Sequence, residues 1–183
     1  MEKDGRLTDG VITLHPYRVS DIDSVYEAVR ESIPELSVRM SWCHPDYSVE
    51  EAKTWIESQP DKWEKGAEYN FAISYYTGSL YLGGCGLNVI DRGCSIANLG
   101  YWVRTSQTNK GIATAATLLL AQFAFNELKL NRVELTIAVD NQASLRIADK
   151  AGATREGILR NRVIKNGTPS DAAVFSFIPQ DLE

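Results

Sequence analysis

Apolar and polar positions along this chain switch between a period of two and a period near 3.6, and the switches mark its elements. Gly10-Val-Ile-Thr-Leu-His-Pro16 alternates and predicts a first strand ending at Pro16. Ser20 or Asp21 then caps a helix on which Ile22, Val25, Tyr26 and Val29 recur up to about Ser32, with Pro34 as its stop. From Glu35 to Tyr47 there is no clean period, but Met40, Trp42, Cys43 and His44 cluster. Ser48 with Glu51 three residues on forms a capping box for a helix through Trp55 and Ile56 to about Gln59, before Pro60. Tyr69 to Tyr76, Leu80 to Ile90 and Cys94 to Arg104 read as three strands, the last two joined by a turn at Asp91-Arg-Gly93. Glycines at 83, 84 and 86 mark a bulge or a close backbone approach in the second of these.

Beyond them lies the long apolar stretch Ser106 to Phe125, a polar turn running into a helix. Arg132 to Val139 is a further strand, and Asp140-Asn141 caps a short helix through Asp149, closed by Gly152. Thr154 to Ile164 and Ala172 to Ile178 form a hairpin around Lys165 to Pro169, with Asn166-Gly167 as its turn signal. The order is that of a mixed α+β domain with about seven strands and four helices. With no repeat or linker, residues 1–183 read as one domain of a size that buries ~70% of its unfolded surface.

Composition narrows the partners. No run approaches the ~18 apolar residues of a membrane span, and the charged start MEKDGRLTDG has no apolar core of a secretory signal. Both point to the cytoplasm and away from membranes. A net charge of −5 argues against nonspecific nucleic-acid binding and would suit a basic substrate. Cys43, Cys85 and Cys94 lack metal spacing, and His15 and His44 are too few for a histidine site, so neither metal nor disulfide is expected. If Ile90 faces Cys94 across the turn, Cys85 pairs near Leu99, far from Cys94.

The informative chemistry is at the start of the Ser106–Phe125 helix. The first N–H groups of a helix lack partners and carry partial positive charge, so an anion fits there. No Asp or Glu occurs from Arg92 to Asn126 in an otherwise acidic chain, Lys110 adds a cation, and Gly111, Ala113, Ala115 and Ala116 let an extended phosphate lie close. The pattern reads as a pyrophosphate cradle. A Walker loop is excluded because Lys110 precedes Gly111 and Ile112 follows. A dinucleotide fingerprint is excluded because Val89 stands where Gly84-Cys-Gly86 would need a third glycine. The plain alternative is a buried helix after a loop.

Thr108-Asn-Lys-Gly111-Ile-Ala113 resembles the acetyl-coenzyme A signature Arg/Gln-x-x-Gly-x-Gly/Ala of the GNAT N-acetyltransferases, departing at its first position. The element order resembles theirs over nearly the whole chain. The resemblance implies the GNAT fold, a mostly antiparallel twisted sheet with helices on both faces, splayed between the strands that flank the central helix. It implies acetyl-coenzyme A as co-substrate, its diphosphate on Asn109, Lys110, Gly111, Ile112, Ala113 and Thr114. The pantetheine arm would pair with the exposed strand edge at Tyr101, Trp102 and Val103.

Val139-Asp-Asn-Gln-Ala-Ser144 resembles the ribosomal-protein N-terminal (RimJ/RimL-type) branch, in which the Asn contacts coenzyme A and the Ser faces its sulfur. Asn141 and Ser144 take those roles by resemblance, with Ser144 the catalytic donor to the departing thiolate. As an N-cap and a first-turn residue they also read as an ordinary helix start. Most other GNAT enzymes place a tyrosine acid where Ala148 stands, and the branch's glutamate base falls on Val163. Glu68 and Asp171 are substitute candidates on the acceptor side. Trp42 is a candidate wall of the acceptor site or a plug at the core edge.

A free α-amine, with pKa ~7.7 to 8.0, is neutralised at pH 7 for roughly 1 kcal/mol, whereas a lysine at ~10.4 needs nearly ~5. A site without an evident strong base therefore suits a protein N-terminus. A small-molecule amine acceptor and a non-catalytic acyl-coenzyme A sensor are the other readings. No covalent enzyme intermediate is expected, and the C-terminal hairpin leaves monomer and homodimer both open.

Overall fold

A computed structural model of the chain describes residues 5–165 and 167–182; Met1–Asp4 of the charged N-terminus and Asn166 of the expected turn lie outside them. The strands are β1 (Leu7–Thr8), β2 (Ile12–Pro16), β3 (Tyr69–Tyr75), β4 (Tyr81–Asp91), β5 (Ile96–Val103), β6 (Arg132–Ala138), β7 (Thr154–Lys165) and β8 (Thr168–Phe177). They form one sheet in the order β1-β2-β3-β4-β5-β6-β8-β7. All neighbours are antiparallel except β5 and β6. The helices are α1 (Ile22–Leu36), α2 (Val49–Glu57), α3 (Gln59–Glu64), α4 (Ile112–Asn126) and α5 (Gln142–Lys150).

The expected order is present, with β1 added at the sheet edge and the six-residue α3 added after α2. Both prolines read as stops behave differently. Pro34 lies inside α1, whose last turn carries Leu36 into the core, and Pro60 sits at the start of α3, where its missing N–H costs nothing. The Ser48–Glu51 capping box is made in both directions.

The β4–β5 register differs from the expectation by two residues. Val89 and Ser95 adopt positive φ, the ladder shifts between Asn88 and Asp91, and Cys85 faces Tyr101 rather than Leu99. A slip of two preserves which side each residue faces. All three cysteines are free.

Helices pack on both faces of the sheet, leaving the edge strand β7 largely exposed. α4 is apolar nearly all round, and Leu120, Ala121 and Ala124, all fully buried, pack it against Phe71, Leu87 and Leu99. Emptying such a site, as in Leu120→Ala, costs ~2–5 kcal/mol. On the opposite face Val25, Ala28 and Val29 of α1 and Ala52 and Ile56 of α2 cover Ala72 and Tyr81.

Candidate active site

The parallel strands β5 and β6 pair only at Ile96, Ala97 and Asn98, opposite Arg132, Val133 and Glu134. Past Asn98 they separate, leaving a gap of about 640 Å³ lined by Leu99 to Tyr101 of β5, Leu135 to Ala138 of β6, Asn141, Ser144 and Val163. The Arg104 N–H donates to the Leu82 carbonyl on the β4 side. Because strand residues alternate, the backbone groups of Val103 and Tyr101 turn toward the gap. Gly83 permits this arrangement: its φ is 149°, and a Cβ there would lie 2.1 Å from the Trp102 carbonyl oxygen.

At the top of β5 the chain makes one 3-10 turn, Thr105–Gln107, and enters α4 through Asn109 and Gly111, both with positive φ. Gly111 is the helix N-cap, contributes no side-chain cap, and no acid occupies the first turn. Ile112 and Ala113 are buried, and Thr114 is half-buried. Lys110 Nζ donates to Gln107 Oε1 at 2.8 Å, and Tyr75 donates to the same oxygen. This helix end thus has no side-chain cap and no acid in its first turn, and it is framed by small residues.

Two carboxylates invisible to a local reading approach this loop. Glu31 of α1 accepts from Ser106 N at 2.9 Å and from Arg104 Nε at 2.5 Å, and Glu35 accepts from Thr105 Oγ1 at 2.9 Å. Burial opposes the Glu31 charge, but Ser106 and Arg104 outweigh it and hold its carboxyl below the usual range. The acid-free segment is therefore braced from behind by acids of another element.

At the start of α5, Asn141 Oδ1 accepts from Ser144 N at 3.2 Å, so the asparagine does cap the helix. The Ser144 carbonyl accepts from the Tyr101 hydroxyl at 3.4 Å, which joins α5 to β5 across the gap. Ala148 is fully buried. Burial pushes the Cys43 and Cys85 thiols up, and the hydrogen bond to Asp91 pushes Cys94 up, so none is a ready nucleophile.

A second cavity, about 420 Å³, opens on the other side of β5 and shares Met40, Gly100 and Tyr101 with the gap. Trp42 lines it, along with Tyr17, Tyr47, Trp55, Tyr81 and Trp102. Glu68 and Asp171 are not among its lining residues: Glu68 accepts from Lys62 and Asn70, and Asp171 accepts from Asn161 N. The carboxylate that does line it is Glu51, with Oε1 2.8 Å from His44 Nε2 and Oε2 held by Ser48. His44 and then Ser48 keep the Glu51 carboxyl below the usual range. In sequence Glu51 shows only its capping signal, so nothing local marks its second face.

A strand edge open beside an unsealed helix start, with a separate cleft meeting it at Gly100 and Tyr101, defines an acyl-coenzyme A N-acyltransferase. The family model described as "Acetyltransferase (GNAT) domain" matches residues 12–154, and the chain belongs to that family. It is similar to "Probable N-acetyltransferase YjcK" of Bacillus subtilis (strain 168), 36% identical over 138 residues, 75% of this chain and 76% of the relative. It is also similar to the "Ribosomal-protein-serine acetyltransferase" of Escherichia coli (strain K12), at 22% identity over 91% of this chain and 92% of that one. The solved structure of RimL, described as a ribosomal L7/L12 alpha-N-protein acetyltransferase in complex with coenzyme A, shares the fold at a TM-score of 0.85 and 21% identity, over 97% of this chain and 98% of that one. The protein is an acetyl-coenzyme A-dependent N-acetyltransferase of the GNAT family.

Proposed function

We propose that this enzyme acetylates the α-amine at a protein N-terminus, such as that of a ribosomal protein, by direct attack in a ternary complex. The observation that supports the reading is the meeting of gap and cleft at Met40, Gly100 and Tyr101, where an amine in the cleft would lie beside a thioester in the gap. Asn109 to Thr114 hold the diphosphate on the helix start. The backbone of Tyr101, Trp102 and Val103 forms the strand edge along which the pantetheine arm lies. Acetyl-coenzyme A supplies the activated acetyl group.

The neutral amine attacks the thioester carbonyl, whose oxygen gathers charge opposite a backbone N–H near Val103. As the C–S bond breaks, Ser144 Oγ passes a proton to the departing thiolate and regains one from the ammonium, relayed through water, so the thiol leaves neutral and the serine is restored. Holding both reactants in one site supplies much of the rate. With Ala148 and Val163 in place of the tyrosine and glutamate, an amine of low pKa fits the site better than a lysine side chain.

A small amine held wholly within the cleft is a second reading, favoured by the volume of about 420 Å³. Mass spectrometry of peptides and small amines after incubation with enzyme and acetyl-coenzyme A separates the two. Peptides modified at the α-amine are the expected products. Modification of lysine side chains or of small amines alone would overturn the reading.

A further inference from the structure

The cleft beside β5 has a composition that selects its occupant. Its rings touch in one continuous band: Trp55 on Tyr17 at 4.7 Å, Tyr17 on Tyr81 at 6.4 Å, Tyr81 on Trp102 at 5.8 Å, Trp102 on Trp42 at 6.1 Å, and Trp42 on Tyr47 at 6.0 Å. Gly84, Gly86 and Gly100 also line it: the Tyr17 hydroxyl occupies the place of a Cβ on Gly84 and Asn70 that of one on Gly86, whereas Gly100 leaves open space. Glu51 is the one carboxylate among the lining residues, and no lysine or arginine is among them. The Tyr17 and Tyr81 hydroxyls share one hydrogen bond at 2.8 Å, which uses one of their two protons.

We infer that the acceptor is a peptide whose first residue is large and apolar, aromatic above all, with its side chain in this ring-lined cleft and its ammonium drawn in by Glu51. The inference rests on the acetyltransferase reading above and adds the acceptor's identity. Serine or alanine at the first position would leave most of about 420 Å³ to water. A free amino acid would bring a carboxylate into a cleft with no cation to meet it, at the cost of an unpaired charge. Aromatic walls and a single carboxylate match a cation carried on an apolar body. Trp42, 43% exposed, forms the outer wall without being required by the core.

The test is a set of peptides alike except for a first residue of Phe, Trp, Leu, Ser or Ala, together with free phenylalanine and 2-phenylethylamine. Turnover is read by thiol release, and binding without acetyl-coenzyme A by the change in tryptophan fluorescence. Phe and Trp peptides should exceed Ser and Ala peptides by about tenfold or more in kcat/KM, as expected when a hydrophobic pocket is filled or left empty. Trp42→Ala should shrink that ratio while the KM for acetyl-coenzyme A stays unchanged. Glu51→Gln, which keeps the capping box, should raise the acceptor KM more than it lowers kcat.

Equal rates for Phe and Ser peptides, or free phenylalanine outdoing the Phe peptide, would overturn the inference and leave the acetyltransferase assignment intact. A preference for 2-phenylethylamine over every peptide would overturn the peptide commitment. If coenzyme A binds but no amine is acetylated, the proposed function fails. The fluorescence ranking of Phe over Ser peptides still decides the cleft.

Discussion

The two halves of the site are made of different material. On the gap side the ligand would meet backbone: an open strand edge at Tyr101 to Val103 and the uncapped start of α4, framed by Gly111 and Ala113. On the cleft side it would meet side chains, a band of rings and one carboxylate. Backbone recognition needs the absence of obstructing groups, so its sequence signal is small residues and missing charges. Side-chain recognition needs particular groups, and these come from the β2–α1 connection, the α1–α2 loop, α2, β4 and β5. The gap side should therefore be hurt most by additions and the cleft side by truncations.

The strongest test of that contrast is Thr114→Glu. An acid in the first turn complements the helix dipole and leaves stability equal or slightly raised, by ~0.3–1 kcal/mol. It also places negative charge where the diphosphate would lie, so calorimetry should show coenzyme A affinity falling by about 10²-fold, whereas Thr114→Ala changes it by no more than about twofold. A Thr114→Glu variant that binds coenzyme A normally would refute the cradle. Next is Ser144→Ala, the one side chain on the gap side assigned a chemical step. Turnover should drop by about 10²-fold with coenzyme A affinity unchanged, and equal losses in both would remove the serine from the chemistry.

A smaller effect is expected from Glu31→Gln, because Glu31 braces from outside the loop proposed to hold the diphosphate. The KM for acetyl-coenzyme A should rise about fivefold, with kcat little altered, if loss of one charge-assisted pair loosens Ser106. The carboxyl of Glu31 lies below its usual range, so the brace persists above the ordinary carboxylate pKa and weakens as pH falls through the lowered value. The wild-type KM should then approach that of the variant in acid.

The smallest concerns the hinge of the splay. Arg132, opposite Ile96 where the β5–β6 pairing begins, donates to Glu156 on β7 at 2.6 and 2.5 Å, and Ser176 donates to the same carboxylate at 2.7 Å. Arg132 first and Ser176 second pull Glu156 down to about 2. The stability this confers is full above the ordinary glutamate pKa and lost as pH falls through about 2. Allowing for solvent screening of a pair that is part-exposed, Glu156→Gln should cost about 1 kcal/mol near pH 7. Denaturant midpoints of the two proteins should converge between the ordinary value and the lowered one. Midpoints that stay parallel across that range would show that the pair contributes nothing.

Much of the frame was legible in the chain because its signals are local. The Ser48–Glu51 box, the Asn141 cap, the apolar α4 and the alternation of β6 each depend on residues within a few positions of one another. So does the open start of α4, since a helix end is complemented by its own first turn. Prolines misled where position within the helix mattered: Pro34 is carried inside α1 because Leu36 is worth burying, and Pro60 starts a helix instead of ending one.

The sequence by itself determined the order of elements, the uncapped start of α4 and the small residues around it, since each is a property of one continuous segment. Only the tertiary structure decided that Glu31 and Glu35 stand behind the loop that leads into α4 and that Glu51 turns a second face to a cleft. It also decided that Tyr17, Trp42, Trp55 and Trp102 share one wall. Those groups are separated by tens of residues and meet because packing two helices on one face of the sheet is the way that face excludes water. No spacing along the chain records such a meeting.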